Sequence, residues 1–430
     1  MAELDREYTL DTRFTPLPEM RRLPESRKLS ALARPGADLT EELVAIARIV
    51  AGVHKRSAHD DTIDRAGTRE ALRGRWAANI RRLRALPRSI IDPAMIEEID
   101  ERSARYLAGR GSLFDLRVAQ ERTVDGHGDL LADDIFCMPD GPRIPDCLDV
   151  DDDRRYLDGL DDICCLAIDL EFLGRPDAAR FVVDTYLEAA CDAPPRSLVD
   201  HYIGYRATVR AEVACIRALQ GCATSAADAV AHARSALMHL EAATVTTTLV
   251  GGLPGTGKST LAAEYAARTG AVVLSSDVVR KELAGLDPSE PRRSDVGEGL
   301  YSASVTDHTY AELLRRARGL VAAGRSVVID ATWTDPSMRE RARLLSTLAH
   351  STSIEIECVV PASTSLQRIA TRRSSVSDAT KQVYEAMTRS RAPWPTAQKV
   401  SCAGTVAESL EAALAVRSAA VQRSGDSRRQ

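Results

Sequence analysis

Thr246-Thr247-Thr248-Leu249-Val250-Gly251-Gly252-Leu253-Pro254-Gly255-Thr256-Gly257-Lys258-Ser259 is the stretch that decides the fold. A β-branched, apolar run enters it, and a helix-forming run, Ser259–Arg268, leaves it. Gly252, Gly255 and Gly257 let the backbone wrap closely around phosphate oxygens with its amides pointing inward. The positive end of the following helix adds to that anion site. Spacing and setting therefore predict a phosphate-binding loop spanning Gly252, Leu253, Pro254, Gly255, Thr256, Gly257, Lys258 and Ser259, with Thr260 beside it. Lys258 is expected to reach the β- and γ-phosphates of ATP, and Ser259 to offer its hydroxyl to Mg²⁺. The bland alternative is a chance turn between a strand and a helix.

Beyond the loop, apolar strand patterns alternate with helical ones: strands at 246–251, 271–275, 326–331 and 354–360, helices at 258–268, 277–285, 298–323 and 335–348. That alternation predicts an α/β domain with a parallel sheet flanked by helices on both faces. In such sheets the carboxyl ends of the strands face the ligand crevice. Asp277 follows the second strand there, placed to accept a proton from an attacking hydroxyl, or else to cap the helix that starts at Val278. Arg280, one turn on, is positioned to hold a substrate or phosphoryl oxygen. Asp330 ends the strand Ser326–Ala331 and is the candidate Mg²⁺ partner; an ordinary turn residue is the other reading. Arg368, Arg372 and Arg373 share a helical spacing ahead of the polar stretch Ser374–Asp378. A lid closing over phosphates and a solvated helix both fit them. Trp333, Arg339 and Trp394 are candidates for pocket lining or for simple packing.

The 430-residue length fits two domains, and the net charge of −5 provides no general attraction for nucleic acid or anionic lipid. No DNA-binding module, membrane span or protein partner is indicated; no apolar run approaches the roughly 20 residues a bilayer requires. The polar start Met1–Arg6 lacks the apolar core of a secretory signal. Nine cysteines, none in paired CxxC motifs, suit reduced thiols and a cytoplasmic protein. Only six basic residues are lysines, which makes Lys258 easy to single out.

Residues 1–28 show no sustained period and are expected to be extended. Residues 29–243 read as a mainly helical domain, with helices near 39–58, 69–86, 93–108, 156–173, 177–190, 197–219 and 225–242 and short strands between 118 and 152. The α/β domain covers 244–421, and 422–430 is expected to be a frayed tail. Within the helical domain, Val124-Asp125-Gly126-His127-Gly128-Asp129 and the nearby Asp134 and Asp146 offer carboxylates suited to base or metal-ligand roles, or to plain turns.

The segment from Thr246 to about Trp394 resembles the P-loop small-molecule and polynucleotide kinases known as AAA-family ATPase or zeta-toxin-like domains. The pairing of the loop with Asp277-Val278-Val279-Arg280 looks especially like polynucleotide kinases. The resemblance implies transfer of the ATP γ-phosphate to a hydroxyl, of a small molecule or a 5′-hydroxyl polynucleotide end, with Asp277 as base and Arg280 at the phosphoryl site. The string His127-Gly128-Asp129 resembles the catalytic loop of aminoglycoside phosphotransferases. That likeness implies a base at Asp129, metal ligands at Asp134 and Asp146, and structural acids at Asp158 and Asp162. Such kinases also need an upstream nucleotide lobe with a lysine on its third strand; here Met20–Pro24 looks like the end of the hinge strand. The resemblance then implies a degenerate, inactive, pseudokinase-like lobe. The alternative overall expectation is a regulatory nucleotide-binding ATPase whose amino-terminal domain binds a ligand.

Overall fold

The strand that enters the loop, Thr246–Gly251, is buried along its whole length. Three consecutive threonines suit such a place: their branched Cβ atoms fit a pleated interior, and their hydroxyls find partners. Thr247 Oγ1 lies 2.9 Å from Ser351 Oγ, and Thr248 Oγ1 lies 3.4 Å from Tyr265 Oη. A computed structural model describes residues 23–145, 152–287, 302–371 and 380–425.

The amino-terminal region is mainly helical: α1 (Leu29–Leu32), α2 (Thr40–His54), α3 (Asp61–Ala66), α4 (Arg69–Ala85), α5 (Pro93–Ala108), α6 (Gly111–Ala119), α7 (Asp152–Arg155), α8 (Gly159–Phe172), α9 (Pro176–Ala189), α10 (Arg196–Leu219) and α11 (Ser225–Ala242). Short strands β1 (Thr123–Asp125) and β4 (Tyr156–Asp158) pair antiparallel, as do β2 (Phe136–Met138) and β3 (Gly141–Arg143). Residues 1–22 lie outside the described chain, but Glu25–Arg27 form a 3₁₀ turn and Lys28 bridges to Phe136.

The carboxyl-terminal region is α/β. It comprises β5 (Thr246–Gly251), α12 (Lys258–Thr269), β6 (Val272–Ser275), α13 (Ser276–Leu283), α14 (Ala303–Ala322), β7 (Val327–Asp330), α15 (Pro336–Leu348), β8 (Thr352–Val359), α16 (Ala362–Thr371), α17 (Lys381–Ser390), β9 (Gln398–Ser401) and α18 (Val406–Arg423). The five strands lie in the order β6-β7-β5-β8-β9, all parallel. The register sets Val250 beside Asp330 and Asp330 beside Ser275, so the loop, Asp330 and α13 emerge side by side. The tail is expected from Gln422, but α18 runs to Arg423 after a capping box of Thr405 and Glu408; residues 426–430 lie outside the described residues.

The two regions meet over a continuous apolar cluster that joins the amino-terminal helices to Leu249, Leu274, Val327 and Ile329 of the sheet. Arg110, fully buried, donates from Nη1 to Ala349 O at 2.9 Å, and Ser197 Oγ donates to Gly324 O at 2.6 Å. Close approach forbids side chains at the seam: a Cβ on Gly109 would lie 2.3 Å from Ala349 O. Ala243–Val245, where the domain boundary is expected, joins α11 directly to β5.

Candidate active site

The loop takes the shape its glycines permit. Gly252, Gly255 and Gly257 have φ of +145°, +80° and +94°, conformations that side chains resist. Space forbids side chains as well: a Cβ on Gly255 would lie 2.6 Å from Ser365 O, and one on Gly252 2.7 Å from Cys358 O. Thr256 Oγ1 donates to Leu253 O at 2.8 Å and ties the turn. Gly257 caps α12 without any side-chain bond to the first turn. Within the described residues the amides of Gly255, Gly257, Lys258 and Ser259 make no hydrogen bond. Orphan donors at a helix start, beside a half-buried Lys258, form an anion site.

Asp330 is buried at the end of β7, close to Lys258 and Ser259. Burial raises its pKa above the usual carboxylate range, against the opposing pull of Lys258 and Ser259. Its Oδ1 is enclosed and has no hydrogen-bond partner. An acid so placed fits a divalent cation held through Ser259, phosphate and water, with Asp330 anchoring that shell. No cluster of three or more His, Cys, Asp or Glu ligands occurs among the described residues.

Asp277 is not the helix cap. The N-cap of α13 is Ser275, and Asp277 lies inside the first turn with its Oδ1 accepting from Arg280 Nη1 at 2.9 Å. Both side chains, with Lys258 and Pro254, line a cavity of about 240 Å³ at the carboxyl ends of β6 and β7. Its remaining walls went unrecognised in the sequence: Tyr310 from α14, Thr332, Thr334 and Asp335 after β7, and Val383 and Met387 from α17. The hydroxyls of Tyr310 and Thr332 lie 3.5 Å apart, and Trp333 N donates to Tyr310 Oη at 3.2 Å.

On the other flank of the loop, Gly255, Gly257, Thr260, Arg368, Cys402 and Gly404 border a second cleft of about 200 Å³. Arg368 Nη2 donates to Cys402 O at 2.9 Å, which fastens α16 across the cleft. The neighbouring Cys358 draws the pKa of the Cys402 thiol below its ordinary value, against the effect of burial. Arg372 and Arg373 lie outside the described residues.

Trp333, Arg339 and Trp394 are packing residues. Arg339 donates to the carbonyls of Trp333, Thr334, Ala392 and Pro393 and stacks 4.9 Å from the Trp394 ring. Four carbonyls take four of the five guanidinium N–H donors, which commits Arg339 chiefly to holding the backbone together.

The amino-terminal carboxylates sit in a rigid frame. Asp162 Oδ2 and Oδ1 accept the amides of His127 and Gly128 at 2.7 and 3.0 Å, and Oδ2 lies 3.0 Å from His54 Nε2. Burial would raise its pKa, but His54 and these bonds hold it at about 2. Asp158 caps α8 through Leu160 N and pairs with Arg117 at 2.6 Å. Asp129, half-buried, accepts a weak bond from Cys165 Sγ at 3.9 Å. Asp134 lies half-buried in the turn after Leu131, and Asp146 lies outside the described residues. All eight described cysteines are free thiols.

Residues 248–394 match the family described as AAA domain. Across 391 residues the chain is 41% identical to the uncharacterized protein Rv2004c of Mycobacterium tuberculosis, covering 90% of this chain and 78% of that one. The chain belongs to the same family as Rv2004c. The uncharacterized protein Mb2027c of Mycobacterium bovis, another member, aligns equally well, at 41% identity over 391 residues. Both family alignments span the helical region as well as the sheet. Solved structures similar to the chain include a sugar kinase from Janibacter sp. (16% identity, TM-score 0.32, 42% of this chain and 97% of that one). A gluconokinase from Sinorhizobium meliloti follows (16% identity, TM-score 0.32, 41% and 94%). So does the Mycobacterium tuberculosis APS kinase CysC in complex with AMPPNP and APS (19% identity, TM-score 0.31, 40% and 98%). Among the described residues no helix is long and apolar enough to cross a membrane.

Proposed function

We propose that this protein is a cytoplasmic, ATP- and Mg²⁺-dependent phosphotransferase that moves the γ-phosphoryl group to a hydroxyl of a small molecule. One observation carries the reading: Lys258 of the phosphate loop and the Asp277–Arg280 pair line the same cavity, with Asp330 beside Lys258. The loop amides and Lys258 hold the β- and γ-phosphates. A divalent cation near Ser259 and Asp330, when bound, neutralises phosphate charge. Asp277 takes the proton of the acceptor hydroxyl as its oxygen bonds to the γ-phosphorus; the bond to the β,γ-bridging oxygen breaks and ADP leaves. Arg280 orients Asp277 and faces the equatorial oxygens. The cleft bordered by Thr260 and Arg368 is the place we assign to the base of ATP.

A small acceptor fits better than a polynucleotide end. The cavity holds about 240 Å³ and is walled by Tyr310, Met338, Val383 and Met387, while the net charge of −5 does not favour a polyanion. We read residues 29–243 as an aminoglycoside-phosphotransferase-like lobe that does not itself transfer phosphate; the pinned loop at Asp162 supports the likeness. Incubation with γ-labelled ATP and a panel of sugars, nucleosides, antibiotics and 5′-hydroxyl oligonucleotides tests the proposal. Labelled small-molecule product that disappears in Asp277→Asn supports it; transfer unchanged in Asp277→Asn removes Asp277 as base.

A further inference from the structure

The amino-terminal helices enclose a second, larger cavity, remote in sequence from the phosphate loop. It has a volume of about 660 Å³ and lies among α8, α9, α10 and α11. That volume is within the roughly 300–1,000 Å³ of small-molecule sites. Its wall is apolar, with Ile168, Ala179, Val183 and Ile203 contributed by three helices.

The polar groups in it are of two kinds. Some are fully committed to one another. His239 from α11 lies 2.8 Å from Glu171 of α8 and 3.1 Å from Asp200 of α10, a clamp that ties three helices together. Burial would lower the pKa of His239, but those two carboxylates hold it at about 9, so at neutral pH it is a cation. Glu171 and Asp200 are thereby neutralised in part.

Others are left over. His232 is 5% exposed, lines the cavity and stacks on Phe172 with ring centroids 4.1 Å apart. Neither of its ring nitrogens has a hydrogen-bond partner among the described residues, and Nδ1 is enclosed. A buried imidazole without partners is costly unless something else supplies them. Arg180, on α9 at the rim, has no ion-pair partner among the described residues. Arg196 makes only loose pairs, at 3.8 Å, with Asp184 and Asp200. Phe172 and Met238 stand exposed at the opening.

We propose that this cavity is a binding site for a small aromatic organic anion. Its ring would lie on the apolar wall against Phe172, His232 would supply a hydrogen bond, and Arg180 would meet the acid group. The charge balance favours this occupant: the rim's two acids are engaged by His239, and the cation left without a partner is Arg180.

The test uses the full chain with saturating ATP and Mg²⁺, so that the phosphate loop is occupied. The probe is 8-anilinonaphthalene-1-sulfonate, an aromatic sulfonate, titrated by fluorescence beside its neutral counterpart N-phenyl-1-naphthylamine. The expected result is saturable 1:1 binding of the sulfonate, at least tenfold tighter than the neutral amine. Arg180→Glu, a change on the exposed rim, should weaken the sulfonate about tenfold and leave the amine unchanged. Ser235→Trp, which fills the cavity from α11, should abolish both. Equal affinity for the two probes, or sulfonate binding unaffected by Arg180→Glu, would overturn the proposal. So would binding that falls as protein concentration rises, because self-association would then be what covers the cavity.

Discussion

Two loops in this molecule carry the residue types of phosphoryl-transfer chemistry, and they differ in what their backbone amides are doing. At 252–259 the amides of Gly255, Gly257, Lys258 and Ser259 are bonded to nothing in the described chain, beside an enclosed Asp330 oxygen without a partner. At 127–129 the amides of His127 and Gly128 are taken by Asp162, which is itself beside His54. The first loop keeps its donors unpaired among the described residues, and the second commits them to its own carboxylate. Unused donors held in place by the fold are what distinguish a site from a scaffold.

Breaking the first loop should have the largest effect. Lys258→Ala removes the cation from the anion site and should lower ATP turnover by about 10³-fold or more, with nucleotide binding lost in calorimetry; tight residual binding would refute the phosphate site. Asp277→Asn should lower transfer by about 10²–10⁴-fold, the range of general-base catalysis, while the Kd for ATP changes little. Gly255→Ala places a methyl against Ser365 O in a φ of +80°. Nucleotide affinity should fall about tenfold, and unfolding free energy by about 1 kcal/mol or more, measured by denaturant titration.

A pH titration probes the frame rather than the loops. His239 is held at about 9 in the folded protein against an ordinary 6.5. Its contribution to stability is therefore fully present below pH 6.5 and lost as pH rises through 9, on the order of 3 kcal/mol. A melting temperature that falls over this window in wild type, and falls less in His239→Gln, is the expected result. The smallest effect belongs to the second loop: Asp129→Ala should leave turnover within about twofold of wild type. A larger loss would erase the difference between the two loops.

The parts of the site legible in the sequence are those whose meaning is local. A glycine spacing states its φ values, and an acid at the end of an apolar strand states which end of the sheet it occupies; Gly252–Ser259, Asp277 and Asp330 were readable in this way. Tyr310, Val383 and Met387 were not, because an apolar residue on a helix declares that it is covered without declaring by what. The same holds for the cavity among α8–α11, whose apolar lining reads as ordinary core. Arg339 is ambiguous for the opposite reason: a polar residue near the site suits either lining or packing, and only the structure shows the four carbonyls that surround it. β9, which extends the sheet beside β8, is only four residues long and three of them are charged or polar, too weak a pattern to stand out.

The central claim is that the convergence of Lys258, Asp277 and Asp330 transfers phosphate to an acceptor rather than to water. Chromatography of reactions containing γ-labelled ATP, Mg²⁺ and the acceptor panel tests it most directly. The account predicts a labelled small-molecule product in wild type and none in Asp277→Asn. Release of inorganic phosphate alone, at one rate with or without any acceptor and the same rate in Asp277→Asn, would contradict it.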